Sequence, residues 1–156
     1  MVVGTTGWYD RLSRAKEAAE RKGASLLYGT NFSVGVQTMM KLAEMMTKEL
    51  AGMNYRLSIS ETHHLTKLDA PSGTALTLRD VVKRSSNMGD IPIKSIRHGE
   101  AVGLHVLEAE SNGDRILLTH ESHSRRPFAE GAVRAAEWLV TAKPGVYDFR
   151  DVFDKF

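Results

Sequence analysis

The chain has 156 residues, of which 42% are hydrophobic and 26% charged, and its formal net charge is +2. That supports one packed core but not two full-sized domains, and a near-balanced charge with no Lys/Arg cluster interleaved with aromatics excludes a nucleic-acid partner. There is no cysteine, hence no disulfide or thiolate metal site, and no apolar run reaches the ~18 residues of a membrane span. The start, Met1-Val-Val-Gly4, lacks the charged head and long apolar stretch of a secretion signal, so a cytoplasmic protein without a membrane partner is expected.

Met1-Val-Val-Gly4 reads as a short strand, Thr5-Thr6-Gly7 as a turn, and Tyr9 to Lys22 as a helix closed by Gly23 in a left-handed cap. Ser25-Leu-Leu-Tyr28 is a second strand. A strand, helix, strand crossover makes its strands parallel, and parallel strands need neighbours, so residues 1–32 read as the remnant of a larger Rossmann-like sheet. From Ser33 to Leu50, the residues Val36, Met39, Met40, Ala43, Met46 and Leu50 follow helical spacing with polar residues opposite. The methionines are adaptable core filler. Tyr55 to Glu61 alternates, with Tyr55, Leu57 and Ile59 on one face, and the end of this strand delivers His63 and His64 to a sheet edge or loop.

The stretch Glu61 to Ala75 concentrates the chemistry. His63 and His64 exchange protons near neutral pH, and Lys67 adds an ammonium that also donates protons. Asp69-Ala-Pro71 followed by Ser72-Gly73-Thr74 reads as a turn opening a helix to about Ser85, with Pro71 in its opening turn. The first N–H groups of a helix lack internal partners and sit at the positive end of its dipole. Those around Gly73 and Thr74 therefore suit a carboxylate or phosphate.

Ser86 to Asp90 reads as a turn, and Ile93–His98, Gly103–Ala109 and Arg115–Ser122 as strands, the last two joined by a hairpin at Ser111-Asn112-Gly113-Asp114, where Asn-Gly tolerates positive φ. A helix opening at Pro127 carries Phe128, Ala132, Ala135, Ala136 and Leu139 on one side and ends at Lys143-Pro144-Gly145. Phe149, Val152, Phe153 and Phe156 form the stripe of a final helix too short to stand alone. The fold class is α+β. An open, largely antiparallel sheet of about four strands with helices on one face occupies 33–145, beside the Rossmann-like remnant at 1–32 and a C-terminal helix at 146–156.

The run His63-His64-x-x-Lys67-x-Asp69-Ala-Pro-Ser-Gly-Thr-Ala75 is similar, without a mismatch, to the signature of the 4-hydroxy-tetrahydrodipicolinate reductases (dihydrodipicolinate reductases) of bacterial lysine biosynthesis. The resemblance extends to Gly4-Thr5-Thr6-Gly7, to Asn31-Phe-Ser-Val-Gly35 and to Thr119-His-Glu-Ser-His-Ser-Arg125, and runs nearly end to end. It implies reduction of a conjugated ring double bond in a small dicarboxylate by hydride transfer from NADH or NADPH, then protonation of the adjacent carbon. His63 resembles the family's general acid/base, and Lys67 the residue that holds a substrate carboxylate or gives the proton. His64, Gly73 and Thr74 resemble its substrate-binding residues. Gly4, Thr5, Thr6, Gly29, Thr30, Asn31 and Phe32 resemble the segments lining the nicotinamide, with Gly29-Thr30 departing from the Ala-Ala common in relatives. Members begin with a glycine-rich cofactor-binding half that is absent from these residues, so the isolated chain is expected to be inactive. By the same resemblance, residues 146–156 return to the cofactor domain and the open face of the 33–145 sheet builds a homotetramer.

The alternative is a non-catalytic assembly or dicarboxylate-binding module derived from such a reductase; a different nicotinamide-dependent reductase of this architecture is the weakest reading. No metal is expected. Adjacent histidines point apart on an extended chain, and no His-x-x-x-His or nearby Glu completes a zinc set. His98, His105, His120 and His123 read as strand or interface residues, His123 with Arg125 within reach of a ligand, and Arg97 as a solvated strand residue.

Overall fold

The computed structural model describes residues 1–5, 7–86 and 89–155; Thr6, Phe156 and the centre of the expected 86–90 turn lie outside the described residues. Along the chain run β1 (Val2–Val3), α1 (Leu12–Arg21), β2 (Leu26–Tyr28), α2 (Val34–Glu49), β3 (Arg56–His63), α3 (Gly73–Ser85), β4 (Ile93–Arg97), β5 (Gly103–Glu110), β6 (Arg115–Ser122), α4 (Arg126–Thr141), β7 (Val146–Asp148) and α5 (Phe149–Val152), with a 3-10 turn at Tyr9–Arg11. They fall into two compact units, one of residues 1–37 and 126–156, the other of residues 38–125.

In the first unit β1, β2 and β7 form a parallel sheet in the order β1-β2-β7. β2 is buried on both sides, as parallel strands are. Leu27 belongs to a core with Phe32, Ala135, Leu139, Phe149, Val152 and Phe153, whereas Leu26 and Tyr28 join Ala19 of α1 on the other side. Alternation along three residues thus sends neighbouring side chains to opposite layers. Gly23 ends α1 at φ +56°, the left-handed cap its position called for. The third strand, β7, had no expected counterpart. The last helix is a single turn, α5, whose Phe149 and Val152 bury in the Leu27 core as the docking argument required.

The second unit is built on a mixed sheet in the order β4-β3-β5-β6, with β3 parallel to β4 and antiparallel to β5, and β5 antiparallel to β6. Burial alternates strictly along β3 and β5, which marks one covered face. α3 packs against β3 and buries Ala75, Leu78, Val81 and Val82. Cross-strand register fixes the rows of the covered face. Leu57 lies opposite Ala109 and Ile59 opposite Leu107, then Glu61 lies opposite His105, which faces His120 on β6. The opposite face carries Ile96, Thr62, Leu104 and Glu121 in one row, and Lys94, Ser60, Val106 and Thr119 in the next.

Three local expectations need correction. His63 is the last residue of an interior strand, paired with Arg97 on β4 and buried, so it reaches neither a sheet edge nor a loop. Pro71 precedes Ser72, which is the N-cap of α3, and so stands outside the first turn. At the Ser111–Asp114 hairpin neither Asn112 nor Gly113 takes a positive φ. The turn closes instead through Ser111, whose Oγ accepts the amides of Gly113 and Asp114, both at 3.1 Å. Its own amide donates to the Asp114 carbonyl at 2.9 Å.

Candidate active site

The covered face of the second unit changes character along β3. Two apolar rows end in a row of Glu61, His105 and His120, followed by His63. A carboxylate taken out of water is costly unless its oxygens are paired. Glu61, 1% exposed, meets that demand on every side. Both of its oxygens accept the Ser72 amide at 3.1 Å, and Oε1 also accepts Arg97 Nη1 at 3.4 Å and Nη2 at 3.3 Å. Oε2 lies 3.4 Å from His63 Nδ1 and 3.9 Å from His105 Nε2. Burial alone would raise the Glu61 carboxyl. Hydrogen bonds from the Ser72 and Ser95 hydroxyls and the Ser72 amide, with His63 alongside, outweigh burial and hold it below the ordinary range.

The histidines respond in the other direction. Burial lowers His63, assisted by Lys67 and Arg97 and opposed by Glu61 and Asp69. His105 is pushed down to about 4, by burial first and then by the neighbouring His63, against the pull of Glu61. Burial also lowers His120. All three rings are therefore neutral at pH 7, and His63 and His105 meet edge to face with centroids 5.1 Å apart. The backbone of β5 closes over His63, since a Cβ on Gly103 would lie 3.2 Å from His63 Nε2.

Arg97 carries the network outward. Besides Glu61 it donates to the carbonyls of Lys67 and Asp69, so the 64–71 loop is tied down from β4. In that loop Lys67 Nζ is 2.6 Å from Asp69 Oδ1. The Lys67 hydrogen bond is the main reason the Asp69 carboxyl is lowered, and the Gly73 amide contributes. Ser72 Oγ accepts the Ala75 amide at 3.2 Å and so caps α3. His64 turns away from His63; its Nδ1 is 2.7 Å from Thr66 Oγ1, and it lines a cleft of about 380 Å³ with Thr66, Gly99, Glu100 and Arg125.

His63 and Lys67 thus lie about one charge network, Gly73 and Thr74 open the helix beside it, and His64 opens onto a cleft of its own. Sequence reasoning missed Glu61, Arg97 and His105. Arg97 is an ion-pair partner and not a solvated strand residue. Also overturned is the statement that no nearby Glu completes a metal set. Among the described residues, Glu61, His63 and His105 each offer one donor atom within 4.8 Å of the others. A cation fits poorly there: the Glu61 oxygens already take the Ser72 amide and Arg97, and Lys67 adds a second positive charge acting on the same histidines.

In the first unit the nicotinamide candidates follow the carboxyl ends of two adjacent parallel strands, where dinucleotides are met in open α/β sheets. Gly4 and Thr5 follow β1, Gly29 to Phe32 follow β2, and the Gly29 amide donates to the Val3 carbonyl at 3.2 Å. Both glycines also serve packing. A Cβ at Gly29 would stand 2.9 Å from Phe149 Cβ, and one at Gly4 would stand 3.3 Å from the Phe32 ring. Phe32 is buried against Phe149 at 4.6 Å between centroids, and the carbonyl of Asn31 beside it accepts the Gln37 side-chain amide at 2.7 Å. Thr6 lies outside the described residues.

A family model described as "Dihydrodipicolinate reductase, C-terminus" matches residues 35–153. The chain is 40% identical to the 4-hydroxy-tetrahydrodipicolinate reductase of Thiobacillus denitrificans, over 97% of this chain and 63% of that protein. It is 37% identical to the enzyme of the same name from Christiangramia forsetii, over 97% and 68%. Its fold is similar to the dipicolinate-bound dihydrodipicolinate reductase from Paenisporosarcina sp. TG-14, at a TM-score of 0.75 and 24% identity, covering 97% of this chain and 63% of that one. The chain thus spans somewhat less than two thirds of the Thiobacillus relative. By the match over residues 35–153 and by identity to these relatives, it belongs to the dihydrodipicolinate reductase family.

Proposed function

We propose that the chain carries the substrate-binding and proton-delivering part of an NAD(P)H-dependent reduction of 4-hydroxy-tetrahydrodipicolinate to tetrahydrodipicolinate, in the diaminopimelate route to lysine. The observation that supports it is the grouping of His63, Lys67 and the start of α3, all inside the thirteen-position run that is similar to the family signature, about the buried Glu61 two residues before it. Loss of the substrate hydroxyl as water leaves a conjugated ring, across which one hydride and one proton add. Reduced nicotinamide supplies the hydride, with Gly4, Thr5, Gly29, Thr30, Asn31 and Phe32 as the residues that would hold its ring. His64, with the amides of Gly73 and Thr74, holds the two carboxylates. Lys67 delivers the proton to the ring carbon. His63, neutral at pH 7 because burial lowers its pKa, relays the replacement proton. The first unit is the cofactor side and the second the substrate and oligomerisation side of a cytoplasmic enzyme.

Calorimetric titration of the 156-residue chain with dipicolinate tests this reading. Binding that weakens about tenfold in both His64→Ala and Lys67→Ala is expected, since each removes one hydrogen-bonding partner of the ligand; equal affinity in all three proteins overturns it. In a coupled assay these residues by themselves should oxidise neither NADH nor NADPH, because an unheld hydride donor is not positioned. Turnover should appear when the amino-terminal part of a relative is added, and vanish again in His63→Ala. An assembly module would keep its association in both His63→Ala and Lys67→Ala. The apolar residues of the open sheet face, with Ile96 36% and Leu117 50% exposed, favour self-association as a homotetramer. Sedimentation of a monomer at micromolar concentration would remove that part of the proposal.

A further inference from the structure

We infer that Glu61 is the positioning residue of this site, a single buried carboxylate that sets the His63 imidazole, the Arg97 guanidinium and the start of α3 against one another. The positions before it on the same face, Leu57 and Ile59, show what the packing there prefers. An apolar residue of similar volume in place of a buried ion pair is commonly neutral or stabilising, so stability does not account for a carboxylate at this position. Its contacts do. Ser72 brings in the cap of α3, Arg97 brings in β4, and through the Lys67 and Asp69 carbonyls Arg97 also fixes both ends of the segment that carries the Lys67 ammonium. His63 Nδ1 is buried and makes no formed hydrogen bond, although Glu61 Oε2 stands 3.4 Å away, so a small rotation completes the pair.

The groups facing His63 are Glu61 on its own strand, Arg97 from β4, His105 from β5, and Lys67 and Asp69 from the loop that follows. His120 on β6 faces His105. Glu61 is the nearest negative charge and Arg97 is a positive charge bound to it. Their removal must therefore move the His63 titration in opposite directions, which a merely structural role would not do.

The test is an NMR titration of the His63 imidazole in the 156-residue chain, with Glu61→Gln and Arg97→Gln, paired with calorimetric titration by dipicolinate. In Glu61→Gln, His63 should titrate about one pH unit lower, the usual effect of losing an opposite charge at this range. Dipicolinate affinity should fall about tenfold as the start of α3 loses its anchor. In Arg97→Gln, His63 should titrate higher. An unchanged His63 in a folded Glu61→Gln protein overturns the inference, and should that variant not fold, an unchanged His63 in Arg97→Gln does so. The dipicolinate arm rests on the proposed function. Absence of binding in the unsubstituted chain would count against that reading, while the imidazole titration still decides the role of Glu61.

Discussion

Asp69 places its own carboxylate on the groups proposed for a substrate carboxylate. Its Oδ1 takes the Lys67 ammonium at 2.6 Å, and the Gly73 amide helps to keep it ionised. A dicarboxylate entering the site would have to displace this side chain from Lys67. Asp69→Asn keeps a short acceptor near Gly73 and removes the competing charge. Because the Asp69 side chain is 58% exposed, its hold on Lys67 is screened, and the expected gain is a roughly threefold tighter dipicolinate titration. Weaker binding would mean that Asp69 orients Lys67 for the ligand and does not compete with it. The sequence read Asp69-Ala-Pro71 as part of the turn that opens α3, and the contact of Asp69 with Gly73 agrees. Glu61 was equally legible and went unread. The alternation of Leu57 and Ile59 continues through Glu61 to His63, which puts a carboxylate on the covered face, and a charge at a position patterned as core calls for partners elsewhere in the chain. What no pattern could supply was their identity, since Arg97 and His105 arrive through register with β4 and β5.

Among the elements, α4 lies tight against the segment after β2. A Cβ at Gly131 would stand 1.7 Å from the Phe32 carbonyl oxygen, a backbone atom that cannot rotate away, and 3.5 Å from the Phe149 ring. Gly131→Ala must therefore push α4 off the segment after β2. Overpacking of this kind costs about 3 kcal/mol, so the midpoint of thermal unfolding followed by circular dichroism should fall by about 5–10 °C. A midpoint within a degree of the unsubstituted chain would show that α4 lifts freely. The sequence showed α4 and most of its packed side: of Phe128, Ala132, Ala135, Ala136 and Leu139, Ala135 and Leu139 are buried and Ala132 packs on the same core, Phe128 is half-buried, and Ala136 is exposed. Gly131 went unread because glycine carries no apolar signal. The long strands and helices of the second unit were legible because their periods repeat over eight or more residues. β7 was not, because three residues, Val-Tyr-Asp, show no period and its pairing is with a strand some 120 positions earlier.

For the molecule as a whole, the buried titratable groups divide by unit, and the two units respond to acid with opposite sign. In the second unit His105 titrates at about 4 against an ordinary 6.5. A depressed folded-state pKa means that the unfolded chain binds the proton more readily between those values. The stability contributed is therefore complete above about pH 6.5 and is lost as pH falls to about 4, a change of ~3 kcal/mol. His63 and His120, also lowered, act in the same sense. In the first unit Asp148 is raised by burial, so protonation there favours the folded form as pH falls through the carboxylate range. Both tryptophans, Trp8 and Trp138, belong to the first unit, and the second contains none. Thermal unfolding followed by far-ultraviolet circular dichroism should therefore weaken between pH 6.5 and 4, before unfolding followed by tryptophan fluorescence does, because only the strands of the second unit depend on neutral histidines. His105→Gln removes the group with the largest shift and should flatten the pH dependence seen by circular dichroism, leaving the fluorescence transition where it was. Coincident transitions at every pH would mean that the two units unfold as one cooperative body, and the histidine term would then appear in both signals.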